Sequence, residues 1–152
     1  SGQNSNYMLA QVNNIDFSDV DICSIMTGMN DGGHSVSIDT YKQNIRNMID
    51  KIQGDNPLCR VFLLAPTFGW YRDGVGVYEE FTVDTYANAM QEVALEYNVP
   101  FYDNYHLNGI NKNNYTKYMV DDTSQVPYLI HPNLEGYKII GKQVARFIHS
   151  KL

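Results

Sequence analysis

The chain has 152 residues, 43% hydrophobic and 18% charged, with a formal net charge of −6. That is one domain with room for a sizeable core, and the composition excludes a disordered chain. The acidic balance provides no basic stripe to neutralise phosphates, which argues against nucleic acid and anionic membranes as partners and leaves small neutral or polar substrates.

No apolar run approaches the roughly 20 residues that span a bilayer, and no charged-then-apolar signal segment opens the chain. A leader removed earlier remains compatible with this, so the compartment is open. The chain shows no repeats, low-complexity segments or Gly/Pro-rich linker.

In chain order, Ser5 to Ile15 reads as a short helix capped by Ser5, with Met8, Leu9, Val12 and Ile15 on one face. Val20 to Thr27 is a largely apolar run ending at Gly28, which predicts a buried parallel strand. Asn30-Asp31-Gly32-Gly33 has the chemistry of a loop. Ser37 caps a predicted helix from about Ile38 to Ile52, with Tyr41, Ile45, Met48 and Ile52 as its apolar stripe. Arg60 to Ala65 is the next buried strand. An aromatic, glycine-containing loop follows Pro66, and Val83 to Tyr97 predicts a third helix. A strand at about Phe101 to Tyr105 leads into an Asn- and Tyr-rich segment with a helical turn near Asn111 to Met119. Asn133 then caps a last helix, with Leu134, Tyr137, Ile140, Val144, Phe147 and Ile148 at helical spacing. The two cysteines form no disulfide framework, because Cys23 reads as mid-strand and Cys59 as a strand start.

Strands alternating with helices imply right-handed crossovers, hence a parallel sheet with helices on both faces. Ligands of such sheets bind at the loops after the carboxyl ends of the strands, which here are 28–37, 67–80 and 106–132. Asn30 lies on the first of these loops. Its amide can donate into a pocket and stabilise an oxyanion, or the tetrapeptide can merely turn the chain. His131 precedes the Pro-Asn turn of the last helix, where a neutral imidazole can accept a proton from a hydroxyl. His34, His106 and His149 have no partner at suggestive spacing, and no cluster of His, Cys and carboxylates resembles a metal site, so no cofactor is expected. Gly74-Val75-Gly76 lacks the context of a dinucleotide loop.

Gly28-Met29-Asn30-Asp31 after a buried strand, together with His131-Pro132-Asn133 and Gly136-Tyr137 opening the last helix, resembles blocks III and V of the SGNH hydrolases, or GDSL esterases/lipases. Ser1-Gly2 before a short helix resembles block II. The resemblance covers nearly the whole chain in order. It implies a three-layer α/β/α fold of flavodoxin-like strand order, and cleavage of acyl or acetyl esters on carbohydrates or lipids. It also implies roles: Gly2 as a backbone donor and Asn30 as a side-chain donor to the oxyanion hole, with His131 as general base.

Two positions depart from the pattern. The family's nucleophilic serine sits in a Gly-Asp-Ser turn upstream of block II, which implies a chain that starts after that turn. Ser5, Ser24, Ser35 and Ser37 are poor substitutes, and there is no Gly-x-Ser-x-Gly elbow. The family's aspartate stands three residues before the histidine, where this chain has Tyr128. Asp121 and Asp122 lie upstream, with Asp122 favoured; solvated loop acids and a backbone carbonyl orienting the imidazole are the alternatives. In the family's strand order the missing strand lies beside Val20 to Thr27. That edge is therefore expected to pair with a second molecule, as a homodimer, or with a retained N-terminal piece. The aromatic loop Phe68 to Tyr78 would wall a pocket for sugar rings or acyl chains. A catalytically inactive SGNH-like carbohydrate-binding module is the alternative function, and an unrelated flavodoxin-like binding module is a third.

Overall fold

In the computed structural model, the apolar runs pair as three parallel strands, β1 (Ile22–Met26), β2 (Arg60–Leu64) and β4 (Phe101–Tyr102), in the order β1-β2-β4. The register runs from Ile22 opposite Arg60 to Met26 opposite Leu64, then Leu63 opposite Phe101. A two-residue strand β3 (Trp70–Tyr71) forms a separate antiparallel ribbon with β5 (Tyr128–Leu129). The structure describes residues 2–67, 70–71, 83–111, 113–120, 128–129 and 131–152, with backbone only at 70–71 and 128–129.

Helices α1 (Ser5–Val12), α3 (Ile38–Asp55) and α4 (Val83–Tyr97) cover one face of the sheet. Their apolar stripes interlock there. Tyr41, Ile45, Met48, Ile49 and Ile52 of α3 have no solvent exposure, and they share a core with Ile25, Val61 and Leu63 of the sheet and with Met90 and Val93 of α4. Complete burial of five large side chains explains why α3 keeps the register its sequence stripe specifies. Ser37 caps it, accepting the Thr40 N–H at 3.2 Å.

The opposite face is covered by α7 (Leu134–His149), whose Phe147 ring meets Phe62 edge-on at 6.1 Å and Tyr102 at 5.1 Å. Asn133 caps α7 as its sequence predicts, accepting the Gly136 N–H at 3.0 Å. These two layers around a parallel sheet make the fold a three-layer α/β arrangement, as expected.

Several local expectations are corrected. Ser5 does not cap α1: Asn4 does, its side chain accepting from Tyr7 N, while Ser5 is fully buried. The helix stops at Val12, so Ile15 lies outside it and is 47% exposed. Residues 29–33 form a short helix, α2 (Met29–Gly33), rather than a loop, because Gly28 at φ 128° turns the chain sharply into it. The strand expected to reach Tyr105 ends at Tyr102, since Asp103 caps a helical turn, α5 (Asn104–Leu107), by accepting the His106 N–H at 3.0 Å. Cys59 is buried just ahead of β2 rather than starting it, and both cysteines are free. A further turn, α6 (Tyr115–Tyr118), lies in the expected place. On α7 the periodic Leu134 and Tyr137 face solvent, 71% and 57% exposed, and burial centres on Ile140.

β1 pairs only with β2 among the described residues, so its other edge is open. Ile22, Ser24 and Met26 are exposed there, while Ile25 is buried on the α3 side.

Candidate active site

At the carboxyl end of β1 the chain has to turn within a crowded corner. A Cβ at Gly28 would lie 3.0 Å from Pro66 Cγ, 3.1 Å from the Tyr41 hydroxyl and 3.2 Å from Tyr86 Cβ, and the φ of 128° is one that side-chain-bearing residues rarely adopt. Glycine is therefore required. It delivers Asn30 two residues later, on α2, half-buried at the wall of a cleft of about 200 Å³. Gln3, Met8, Met26, Thr27, Met29 and Thr67 are among the lining residues.

The segment before α1 is brought to Asn30 by direct bonds. Asn30 Nδ2 donates to the Gln3 carbonyl at 2.9 Å, which places the residue after Gly2 against the asparagine. Beneath this contact Asp31 is fully buried, and its carboxylate accepts the Ser5 N–H on both oxygens, at 3.0 and 3.1 Å, and the Thr27 hydroxyl at 3.0 Å. Ser5 Oγ in turn accepts from Asn44 Nδ2 at 2.8 Å, tying α1 to α3. Gly2 itself sits at φ 76°, and a Cβ there would meet nothing within 4 Å, so its glycine is needed for the backbone turn alone. Two tyrosines line this buried acid. Burial, reinforced by Asp31, pushes the Tyr41 phenol well above its ordinary value of 10.0, and Tyr86 rises for the same reasons.

His131 is exposed and is held through its backbone. Its carbonyl accepts the Val120 N–H at 2.7 Å, and two residues on the Asn133 N–H donates to the Tyr118 carbonyl at 2.8 Å. Asn133 Nδ2 adds a bond to the Lys117 carbonyl at 2.8 Å. Gly136 permits this closeness, because a Cβ there would lie 2.2 Å from the Tyr118 oxygen. The β3–β5 ribbon pairs the backbone at 128–129, just before His131, with 70–71.

The structure thus brings Asn30 together with the Gly2-Gln3 segment. His131 is not among the described residues lining the cleft. Asp121 and Asp122 lie outside the described residues, as does most of the aromatic loop Phe68 to Tyr78, and of Tyr128 only the backbone is described. Among the described residues no side chain hydrogen-bonds the His131 imidazole, and no group of three or more His, Cys, Asp or Glu is arranged to hold a metal ion.

Two other histidines do have partners, contrary to expectation. His106 Nδ1 lies 2.8 Å from Asp103 and its Nε2 lies 3.8 Å from Asp84. The Asp-x-x-His spacing at 103–106 was the available signal. His106 thus lies between Asp103, ahead of α5, and Asp84 in the first turn of α4. His34 Nδ1 lies 3.2 Å from Asn4 Nδ2. The buried Asp31 is the residue that sequence reasoning missed: an acid in Asn-Asp-Gly-Gly reads as solvated until α1 folds over it.

The sequence profile of the GDSL-like Lipase/Acylhydrolase family matches residues 1–139. The chain belongs to this family. Membership makes it an SGNH-type ester hydrolase in kind. No curated protein matches the chain. Solved structures share its fold. A Lactobacillus plantarum protein superposes with a TM-score of 0.78 at 19% identity, over 95% of this chain and 74% of its own. A lipase/acylhydrolase from Enterococcus faecalis does so at 0.77 and 20%, over 99% and 73%. An acetylxylan esterase from Geobacillus stearothermophilus gives 0.70 and 22%, over 97% and 68%.

Proposed function

We propose that this GDSL-family chain supplies the oxyanion hole and general base of a serine-type esterase acting on short acyl esters, acetylated carbohydrates included, and that the nucleophilic serine comes from a strand outside these 152 residues. The observation that carries the reading is the Asn30 Nδ2 bond to the Gln3 carbonyl at 2.9 Å, at the wall of the cleft. A carboxamide nitrogen has two hydrogens. One is held by Gln3, which fixes the amide plane; the other is left to meet a substrate oxygen.

In this reading the serine hydroxyl attacks the ester carbonyl as His131 takes its proton. The carbonyl oxygen becomes an oxyanion and receives hydrogen bonds from Asn30 Nδ2 and the Gly2 N–H. Collapse of the tetrahedral adduct expels the alcohol with the proton returned by His131, and water then hydrolyses the acyl-serine by the same route. Asp122 orients the imidazole. The cleft of about 200 Å³ has Gln3 and Asn30 in its wall. Met8, Met26 and Met29 give it an adaptable apolar lining. An acetyl ester, the substrate class in the name of the Geobacillus stearothermophilus neighbour, suits that lining.

Hydrolysis of p-nitrophenyl acetate by this chain and by an upstream-extended protein tests the proposal. The extended protein should turn over and the 152-residue chain should not. An extended protein that is inactive, or whose activity ignores His131→Ala, contradicts it.

A further inference from the structure

The acidic total conceals a basic stripe. Residues 134–152 hold four of the eleven Lys and Arg and one acid, Glu135, and so carry +3, whereas residues 1–133 carry −9. Three of these cations, Lys138, Lys142 and Arg146, recur every fourth residue of α7 and are exposed. They therefore stand about 6 Å apart along one ridge of the helix. Composition showed no such stripe; the fold makes it.

A solvated helix face ordinarily mixes the two signs, and a cation suits the helix dipole only in the last turn. Arg146 fits that rule, but Lys138 and Lys142 stand in earlier turns. Glu135 pairs with Lys138 at 2.6 Å, and among the described residues Lys142 and Arg146 have no ion-pair partner. Beside the ridge runs a second exposed row, Tyr137, Gly141 and Ala145, with Tyr137 57% exposed. Glycine inside a helix weakens it relative to alanine. A Cβ at Gly141 would meet nothing within 4 Å, so no neighbour in the fold requires a glycine there. The helix backbone is left open along this row, with cations beside it and a tyrosine at its start.

We infer that this face of α7 binds a carboxylate-bearing polysaccharide, one strand lying along the helix with its carboxylates on Lys138, Lys142 and Arg146 and a sugar ring against Tyr137. The −9 carried by residues 1–133 decides against broad anionic surfaces. A membrane or a duplex would bring its charge against that acidic remainder, while a single strand keeps within a Debye length of the helix, about 8–10 Å. Single-stranded nucleic acid is held by a series of aromatic platforms, and the exposed face of α7 offers Tyr137 alone. The inference rests on the proposed function for its carbohydrate: His131 lies three residues before Leu134, so a strand on α7 leads to the loop that carries the general base.

The test is binding of the 152-residue chain to polygalacturonate, with dextran as the uncharged control. Polygalacturonate should bind and dextran should not, and the affinity should fall on the order of tenfold between about 50 and 200 mM salt. Lys142→Gln with Arg146→Gln should lower it about tenfold. Lys42→Gln with Arg46→Gln removes the same charge from α3, on the other face of the sheet, and should leave it unchanged. Gly141→Leu should keep or raise the melting temperature and still weaken binding about fivefold, a separation that a merely solvated helix face would not show. Absence of binding overturns the inference, as does affinity indifferent to the Lys142 and Arg146 substitutions. Equal affinity for polyglutamate or oligodeoxythymidylate assigns the stripe to charge alone and overturns the saccharide. Salt-sensitive self-association of the free chain, abolished by the same substitutions, assigns the face to a second copy and likewise overturns it. Polymer binding by an extended protein that leaves p-nitrophenyl acetate intact removes the esterase reading and keeps this one. Hydrolysis without polymer binding does the reverse.

Discussion

The fully buried carboxylate of Asp31 accepts the Ser5 backbone N–H on both oxygens, at 3.0 and 3.1 Å, and so fastens the start of α1 to α2. This bond lies directly under the contact between Asn30 and Gln3. Replacing Asp31 by alanine strands the Ser5 N–H and the Thr27 hydroxyl in the interior, and the expected loss is about 3 kcal/mol. Asp31→Asn keeps one acceptor and should lose less. Urea denaturation with an unchanged m-value reads the stability, and faster exchange of the Ser5 amide reports release of α1.

The approach of α7 to α6 gives a second prediction. Gly136→Ala places a methyl where the Tyr118 carbonyl oxygen lies 2.2 Å away, so the backbone on one side has to move. The cost should be about 2–3 kcal/mol, the upper part of the range for overpacking. Because Asn133 N–H and Val120 N–H join the same two segments, the His131 backbone should shift with it. Thermal unfolding measures the first effect and the amide chemical shifts of 131–133 the second.

Alkaline stability follows from Tyr41. Burial, then Asp31, raises its folded-state value well above 10.0, so the neutral phenol is the form the fold favours. Its contribution is fully present below pH 10 and is lost as pH rises through the raised value. Urea midpoints should therefore decline above about pH 10. Tyr41→Phe should lower stability at neutral pH by about 1 kcal/mol, because the Thr27 carbonyl loses its 2.9 Å bond, and should flatten the alkaline decline. An unchanged alkaline profile in the phenylalanine variant contradicts this assignment.

Much of the fold was legible because its signals are local and periodic. The stripe of α3, the bounds of α4 at Val83 and Tyr97 and the Asn133 cap of α7 all follow from spacing and turn chemistry. What escaped was tertiary. Ser5 has the chemistry of a cap, yet Asn4 takes the role, and the buried Ser5 hydroxyl accepts from Asn44 Nδ2 instead. Residues 29–33 look like a loop until the crowding at Gly28 forces a helical turn. On the site, Asn30 and the Gly2-Gln3 segment were readable as separate motifs, and their contact needed the fold. Leu134 and Tyr137 fit the helical period of α7 but are exposed while Gly136 between them is buried, so periodicity alone misassigned them.

The oxyanion role of Asn30 is the centre of the account, and one rate constant tests it. In the upstream-extended protein, Asn30→Ala should lower kcat for p-nitrophenyl acetate by about 10²–10³-fold, the loss typical of one oxyanion donor, with KM little changed. A kcat within a few-fold of wild type would contradict it.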